Sequence, residues 1–383
     1  MSLFEVLRAE AKMIFSDIAI VLTIIGGVIL YSFLYPQPYA KESVSSLFVS
    51  VVDMERSKLS RDILFKLNAT PQMQITRHDL SLRDAQEALK RGEVKAIVVI
   101  PAHFSRDLAL GISPTIALGA DSSYFLIYGA VLEGAMKSVL TQSATIKVAN
   151  LLKRQVPLSH AKEAYAPYSL NAINLFNRDN SYTQYVVPAV FILILQQTLL
   201  IGLGILGGGV NERMREGEFA HYKEALTYQV MFARFVIFGG IFFVHMLFYF
   251  GFSFENFGIT HLANIEDLLI FGVLFLSAVI AFGIFLGALF SSREIATPVV
   301  LFSSMALIFS VGFIWPLEAV PELIHTVAYI APSTPAIEGF LALNQMGADF
   351  QSIRDYYMIL ALQSVFYTIL GYYILNKKRK LDG

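Results

Sequence analysis

The segment Tyr185–Gly208 reads YVVPAVFILILQQTLLIGLGILGG, an apolar run without a charged residue. A helix needs about 20 such residues to cross a hydrocarbon core of about 30 Å, because backbone exposed to lipid must satisfy its own hydrogen bonds. Within it, GLGILG (Gly202–Gly207) has the spacing of the dinucleotide-binding fingerprint G-x-G-x-x-G. That fingerprint requires a strand before the glycines and a helix opening at them, whereas these glycines sit inside the apolar run. Small residues at helical spacing, here and at Gly283 and Gly287, instead let neighbouring helices approach closely. The segment reads as a transmembrane helix, and the rest of the chain follows from it.

The composition agrees. Of 383 residues, 55% are hydrophobic and only 15% charged, with a mean hydropathy of +0.58, where a soluble domain carries about 25% charged residues. A net charge of −1 offers no basic field for nucleic acid. No cysteine is present, which excludes disulfides and thiolate metal sites. Six segments are long and apolar enough to span: approximately Ile18–Tyr35, Tyr185–Gly208, Val230–Phe252, Leu268–Phe290, Ile295–Trp315 and Tyr356–Leu375. The first is too long for a signal-peptide core, and YSFLYPQPYAKE after it has no small-x-small cleavage site, so it reads as an uncleaved anchor.

Lys and Arg in the short loops set the orientation. Arg8 and Lys12, Arg213, Arg215, Lys223 and Arg234, Arg293, and the tail from Lys377 to Lys380 all fall on one side of a six-span chain, while Ser253–Asp267 and Pro316–Ile353 carry neither residue type. Both termini are expected in the cytoplasm. The long loop between the first two spans is expected outside, and it has the pattern of a folded domain. LFVSVVD, MQITRHD, VKAIVVIP and TIALGAD read as short strands separated by helical stretches, which predicts an α/β layer. From Ser122 to about Gln155 the pattern becomes helical. The predicted fold class is therefore an α-helical polytopic membrane protein with six transmembrane helices and an extracytoplasmic α/β domain between helices 1 and 2. Its segments are a cytoplasmic amphipathic helix (1–17), helix 1 (18–35), the external domain (36–183), helices 2 to 6 (184–376) and a basic tail (377–383). The 184–376 segment includes a cytoplasmic loop at 209–229 and a broken external segment at 316–345.

Catalytic motifs are missing. No Gly-Lys dipeptide occurs, so there is no Walker A loop; H-E-x-x-H and G-x-S-x-G are absent, and the seven histidines show no ligand spacing. No catalytic residue, cofactor site or metal site is expected in this chain. Polar residues inside the spans are few, and Gln196, Gln197 and His245 are the candidates for lining a pathway, against the alternative that they only bond helix to helix. In GFIWPLEAVPELIHTVAYIAPSTPAIEGF (Gly312–Phe340), prolines at 316, 321, 332 and 335 forbid a continuous helix, while Leu323, Val327 and Ile330 share one helical face. Broken backbone at membrane depth must be covered by protein or line a wet cavity. Trp315, Pro316, Pro321, Val327 and Pro332 are the candidate external gate.

The order of one anchor, a large external domain, five more spans, a charged loop after the second span and a Pro-broken segment before the last resembles the permease subunit of an ABC-2-type exporter. EVLRAEAKMIFSD (Glu5–Asp17) is similar to that family's amphipathic connecting helix, and the Gly312–Phe340 stretch to its external re-entrant helices. The charged island NERMREGEF (Asn211–Phe219) is similar to the family's E-x-E-x-G-T-x-E loop, with Phe219 where Thr is usual. The resemblance implies that Glu212, Arg213, Glu216, Gly217 and Glu218 dock on a separate ABC ATPase, which would hold ATP and magnesium. It implies a place in a bacterial inner membrane, a second permease, identical or a paralogue, and export of a drug-like or amphipathic compound, handed to a periplasmic membrane-fusion adaptor. The competing reading is a membrane sensor or assembly scaffold whose external domain binds a ligand.

Overall fold

A computed structural model describes residues 1–39, 45–123, 125–165, 175–177, 181–217 and 224–381. It divides into two compact units, one formed by residues 1–40 and 174–383 and the other by residues 41–173.

The first unit is helical. Its opening helix α1 (Leu3–Ser16) starts with a capping box, in which the Ser2 hydroxyl accepts from the Glu5 amide and the Glu5 carboxylate accepts from the Ser2 amide. Six helices long and apolar enough to cross a membrane follow: Ile18–Tyr39, Val186–Arg215, Thr227–Asn256, Ile265–Leu289, Arg293–Ser310 and Arg354–Arg379. All six expected spans are present. Several boundaries shift by a few residues from the sequence reading, and the ends of the second and fifth spans have a visible cause. The second span runs on through the first charges of the island to Arg215, because its last turn carries cations that suit a helix C-terminus and Gly217, at φ +82°, ends it in the left-handed conformation. The fifth span stops at Ser310 instead of Trp315, just before Gly312 turns the chain at φ +88°.

The second span is the hub. Of its most apolar stretch 94% is buried, against 22% for the first and fifth spans and 17% for the sixth. A helix apolar on every side suits such a position. Its glycines set how closely the neighbours come. A Cβ on Gly202 would lie 2.5 Å from Ile24 of the first span, on Gly204 2.8 Å from Ala296 of the fifth, and on Gly207 2.6 Å from the Gly287 backbone of the fourth. The fingerprint spacing is thus a packing surface, with Gly283 and Gly287 as its counterpart. The first span departs from α geometry at Leu22–Gly27, a π-helical stretch against this surface, and the Tyr249 hydroxyl of the third span donates to the Val28 carbonyl just beyond it (2.7 Å).

Two buried charges join α1 to the third span. Arg234 Nε donates to Glu10 Oε2 at 3.0 Å, with the two side chains 1% and 0% exposed, and Val6, Ala225, Val230 and Ala233 form an apolar cluster nearby. A buried pair loses several kcal/mol if one partner is removed, because the remaining charge stays out of water.

The second unit is α/β, as its alternating pattern predicts. Four strands, β1 (Leu47–Asp53), β2 (Met73–His78), β3 (Ala96–Ile100) and β4 (Ala117–Ala120), form a sheet in the order β2-β1-β3-β4, parallel except for antiparallel β4. Helices α2 (Lys58–Asn68), α3 (Leu82–Lys90) and α4 (Phe104–Ala109) connect them, and α5 (Phe125–Lys153) follows β4. Side chains alternate across the pleat. Val49 and Val51 face a core shared with Ile63, Leu67, Phe104 and Val131, while Val52 and Ile97 pack with Ala85 of α3 on the other face. The entry to α4 is fixed by Glu55, whose carboxylate accepts from the Ser105 amide (2.6 Å) and from the hydroxyls of Ser105 (2.9 Å) and Ser57 (2.8 Å). Burial alone would raise the Glu55 pKa, but these bonds to the charged form outweigh it and hold the carboxyl below its ordinary value.

Candidate functional site

Three span ends meet at one polar cleft. Asp17 caps the first span, its Oδ1 accepting from the amides of Ala19 (3.0 Å) and Ile20 (3.3 Å). The same carboxylate pairs with Arg293 at the entry to the fifth span, at 2.8 Å. The last turns of the second span complete the wall: Gly209, Glu212, Arg213 and Glu216 line the cleft with Met13, Ser16, Asp17 and Arg293, around a volume of about 320 Å³. Arg213 bends back, its Nε donating to the Gly209 carbonyl at 3.3 Å. Arg215 reaches the Ser291 carbonyl. Beneath them Asn211 Nδ2 donates to three carbonyls of the fourth-to-fifth span turn, those of Gly287 (3.1 Å), Ala288 (3.3 Å) and Phe290 (2.8 Å), and the Lys378 ammonium donates to the Ala288 carbonyl from the last span. The exposed ends of the second and fifth spans and the α1–first span joint are therefore tied at one place.

Of the five island residues singled out in the sequence, Glu212, Arg213 and Glu216 line this cleft, and Gly217 supplies the turn beside it. Glu218 lies outside the described residues. Asp17 and Arg293 were missed as site residues, because neither carries a local signal beyond an acid before an apolar run and a lone cation between spans. An Asp at the N-cap position was the available clue to the first.

The Pro-broken segment forms two short helices, α6 (Glu322–Ala328) and α7 (Ser333–Phe340), after a 3₁₀ turn at Leu317–Ala319. Their junction is held from two spans. Gln196 of the second span accepts from the Ser333 amide (2.6 Å) at the start of α7, and Gln363 and Tyr367 of the sixth span donate to the carbonyls of Tyr329 and Ile330 (each 2.6 Å). Within the segment Glu338 accepts from the Tyr329 hydroxyl (2.6 Å) and pairs with His325 (2.9 Å). Pro332 is buried, whereas Trp315, Pro316, Pro321 and Val327 are exposed. The expected apolar stripe is present but faces away from its own chain: Leu323, Val327 and Ile330 are 75%, 54% and 57% exposed, and α6 packs inward through Ala328. Among the pathway candidates, Gln196 is committed to the Ser333 amide, Gln197 is partly buried, and His245 is buried with its Nε2 unpartnered among the described residues. No group of three or more metal-binding side chains occurs among the described residues.

Comparison with curated proteins gives no match. The family described as ABC-2 family transporter protein matches residues 18–373, from the Asp17-capped start of the first span to the last turns of the sixth. The second and fifth spans that frame the polar cleft, and the α/β unit between the first two spans, fall within that match, with α1 and Asp17 just before it, and the chain belongs to the ABC-2 family of transporter proteins.

Proposed function

We propose that this chain is the permease half of an ATP-driven exporter, and that the cleft around Asp17 and Arg293 is where a separate ATPase pushes. The ABC-2 family is one of membrane components of ABC transporters, without ATPase activity of their own, so the chain is a multi-pass transport subunit whose family implies an ABC ATPase partner. The observation that carries the coupling assignment is the meeting of three span ends at one cleft lined by charges of both signs. A partner seated on Glu212 and Glu216 touches the second span directly and, through Asp17 and Arg293, reaches the first and fifth. Coupling requires that binding at one face change the balance between two states of the spans, and a shared junction supplies the mechanical link.

In this reading both termini and the cleft face the cytoplasm of a bacterial inner membrane, and the α/β unit and the α6–α7 segment face the other side. Two permeases, identical or paired with a paralogue, enclose the path. The weakly buried first, fifth and sixth spans and the exposed Leu323–Val327–Ile330 stripe support a partner or lipid against those surfaces. The cargo is a drug-like or amphipathic compound that passes to a periplasmic membrane-fusion adaptor. The test is a Glu212→Ala, Glu216→Ala, Glu218→Ala triple variant, assayed for ATPase co-purification and for export. Lost recovery of the ATPase, or hydrolysis uncoupled from export, at normal membrane levels is the expected result. Normal recovery with normal export removes the assignment.

A further inference from the structure

We propose that the outward face of α1 is a docking surface for anionic phospholipid, with Arg8 and Lys12 on the headgroup phosphates and Phe4 and Phe15 among the upper acyl carbons. The inference rests on the spans lying in a membrane and is independent of the export reading. Helical geometry divides α1 into two faces. Val6, Glu10 and Ile14 are buried, with Glu10 paired to Arg234. Phe4, Arg8, Lys12 and Phe15 fall within about 80° of one another on the opposite side at 3.6 residues per turn, and all four are exposed.

The inward contacts place that face at headgroup depth. Gln229 donates to the Met1 carbonyl (3.4 Å) and Arg234 to the Glu10 carboxylate (3.0 Å), so α1 lies beside the opening turns of the third span, whose helix begins at Thr227. From residue 229 to 234 that helix rises about 8 Å, comparable to a headgroup layer of about 5–8 Å on each side of the hydrocarbon. The Phe15 end leads into the first span, where Ile18 and Leu22 are exposed as well and only 22% of the most apolar stretch is buried. The outward face of α1 therefore continues a surface that lipid already bounds.

The charge on the face selects the lipid. Arg8 and Lys12 sit one turn apart, and neither has a partner among the described residues. The acid nearest to them on that side, Glu5, is turned to the helix start, where its carboxylate accepts from the Ser2 amide (2.8 Å). Two unpaired cations beside two aromatic rings, 75% and 53% exposed at Phe4 and Phe15, match a phosphate layer over hydrocarbon. The long cationic side chains reach the phosphates while the rings take the apolar side. A zwitterionic headgroup sets a cationic amine beside its phosphate and matches less well. A soluble protein partner would have to enter the headgroup layer to cover the same four side chains.

The probe is phosphatidylglycerol bearing a diazirine in one acyl chain, mixed into phosphatidylcholine nanodiscs that hold the full-length chain, with adducts mapped by mass spectrometry. Adducts within residues 3–16 are expected, and unlabelled phosphatidylglycerol should displace them where inorganic phosphate does not. Each cation beside an anionic surface is worth about fivefold in binding. Arg8→Gln with Lys12→Gln should therefore lower the adducts on α1 by about tenfold or more, with adducts on the sixth span and hydrogen exchange across residues 3–16 unchanged. Arg8→Lys, which keeps the charge, should retain the adducts. The proposal is overturned by equal labelling of α1 from the matching phosphatidylcholine probe, by displacement with inorganic phosphate, or by adducts that persist in the double glutamine variant. Crosslinks from Lys12 to a protein subunit in place of lipid, in the chain purified with its native subunits, would overturn it as well.

Discussion

Gly207→Ala adds one methyl group where the second and fourth spans touch backbone to backbone. The new Cβ would lie 2.6 Å from the carbonyl carbon and oxygen of Gly287 and 2.7 Å from its Cα, where carbon atoms settle at about 3.5 Å or more. The two helices must therefore separate locally by about 1 Å. Overpacking of this kind costs about 1–3 kcal/mol. The separation also pulls on Asn211, four residues along the same helix, whose amide holds the carbonyls of Gly287, Ala288 and Phe290 at 2.8–3.3 Å. An added 1 Å takes these contacts out of hydrogen-bond range, at about 1 kcal/mol for each bond lost. The expected total is about 4–6 kcal/mol, read as loss of stability in denaturation of the detergent-solubilised chain. Gly209→Ala is the matched control. Its Cβ would lie 4.0 Å from the Arg293 Cβ, an ordinary contact, and Ala in a helix is favoured over Gly by up to about 1 kcal/mol. Equal stability of the two variants would refute the packing account of the glycine run.

Three other outcomes follow from the structure. Glu10→Gln or Arg234→Met alone should destabilise the chain by about 3–5 kcal/mol, and Glu10→Leu with Arg234→Met should recover most of that; an additive double variant, measured in the same denaturation assay, would show the buried pair to be uncoupled. Gln196→Leu removes the acceptor of the Ser333 amide and should expose the start of α7 to faster hydrogen exchange while the second span stays protected; unchanged exchange at residues 333–336 would show that the contact holds nothing. Because the Glu55 carboxyl sits below its ordinary pKa of 4.5, its stabilising effect on α4 is present above that value and lost as pH falls through the lowered one. Glu55→Gln should loosen residues 104–109 at neutral pH, and the difference from the unsubstituted chain should close in acid; a difference that persists there would assign the effect to shape and not charge.

Much of the architecture was legible because it rests on short-range periodicity. Strand β3 appears at Ala96–Ile100 within the expected Val94–Pro101, and α5 spans almost all of the expected Ser122–Gln155 helix. The six spans were legible for the same reason, since a lipid-facing or enclosed helix has few polar choices. The residues that join distant elements were not. Glu10 and Arg234 each look like one more charge near a membrane boundary, and only their 3.0 Å contact shows that neither is solvated. Asp17 and Arg293 are separated by most of the chain in the same way. The glycine spacing announced close approach without naming the partner. Gln196 illustrates the remaining gap: burial of an amide in a span predicts a hydrogen bond, but whether the partner is a passing solute or a backbone amide depends on where residue 333 folds back.

The enclosure of the second span sets a problem of timing during synthesis. This helix leaves the ribosome long before the segments that cover its glycine face, since Gly283, Gly287 and Ala296 belong to the fourth and fifth spans. Until those residues are made, the surface from Gly202 to Gly208 has only the first span and, at Gly202, Phe238 of the third beside it. Glycines leave no side chain for lipid tails to pack against and expose backbone at the helix surface, so the half-made protein carries its most intimate contact surface unpaired. The later spans thus arrive at a groove already formed, and the order of translation becomes an order of assembly.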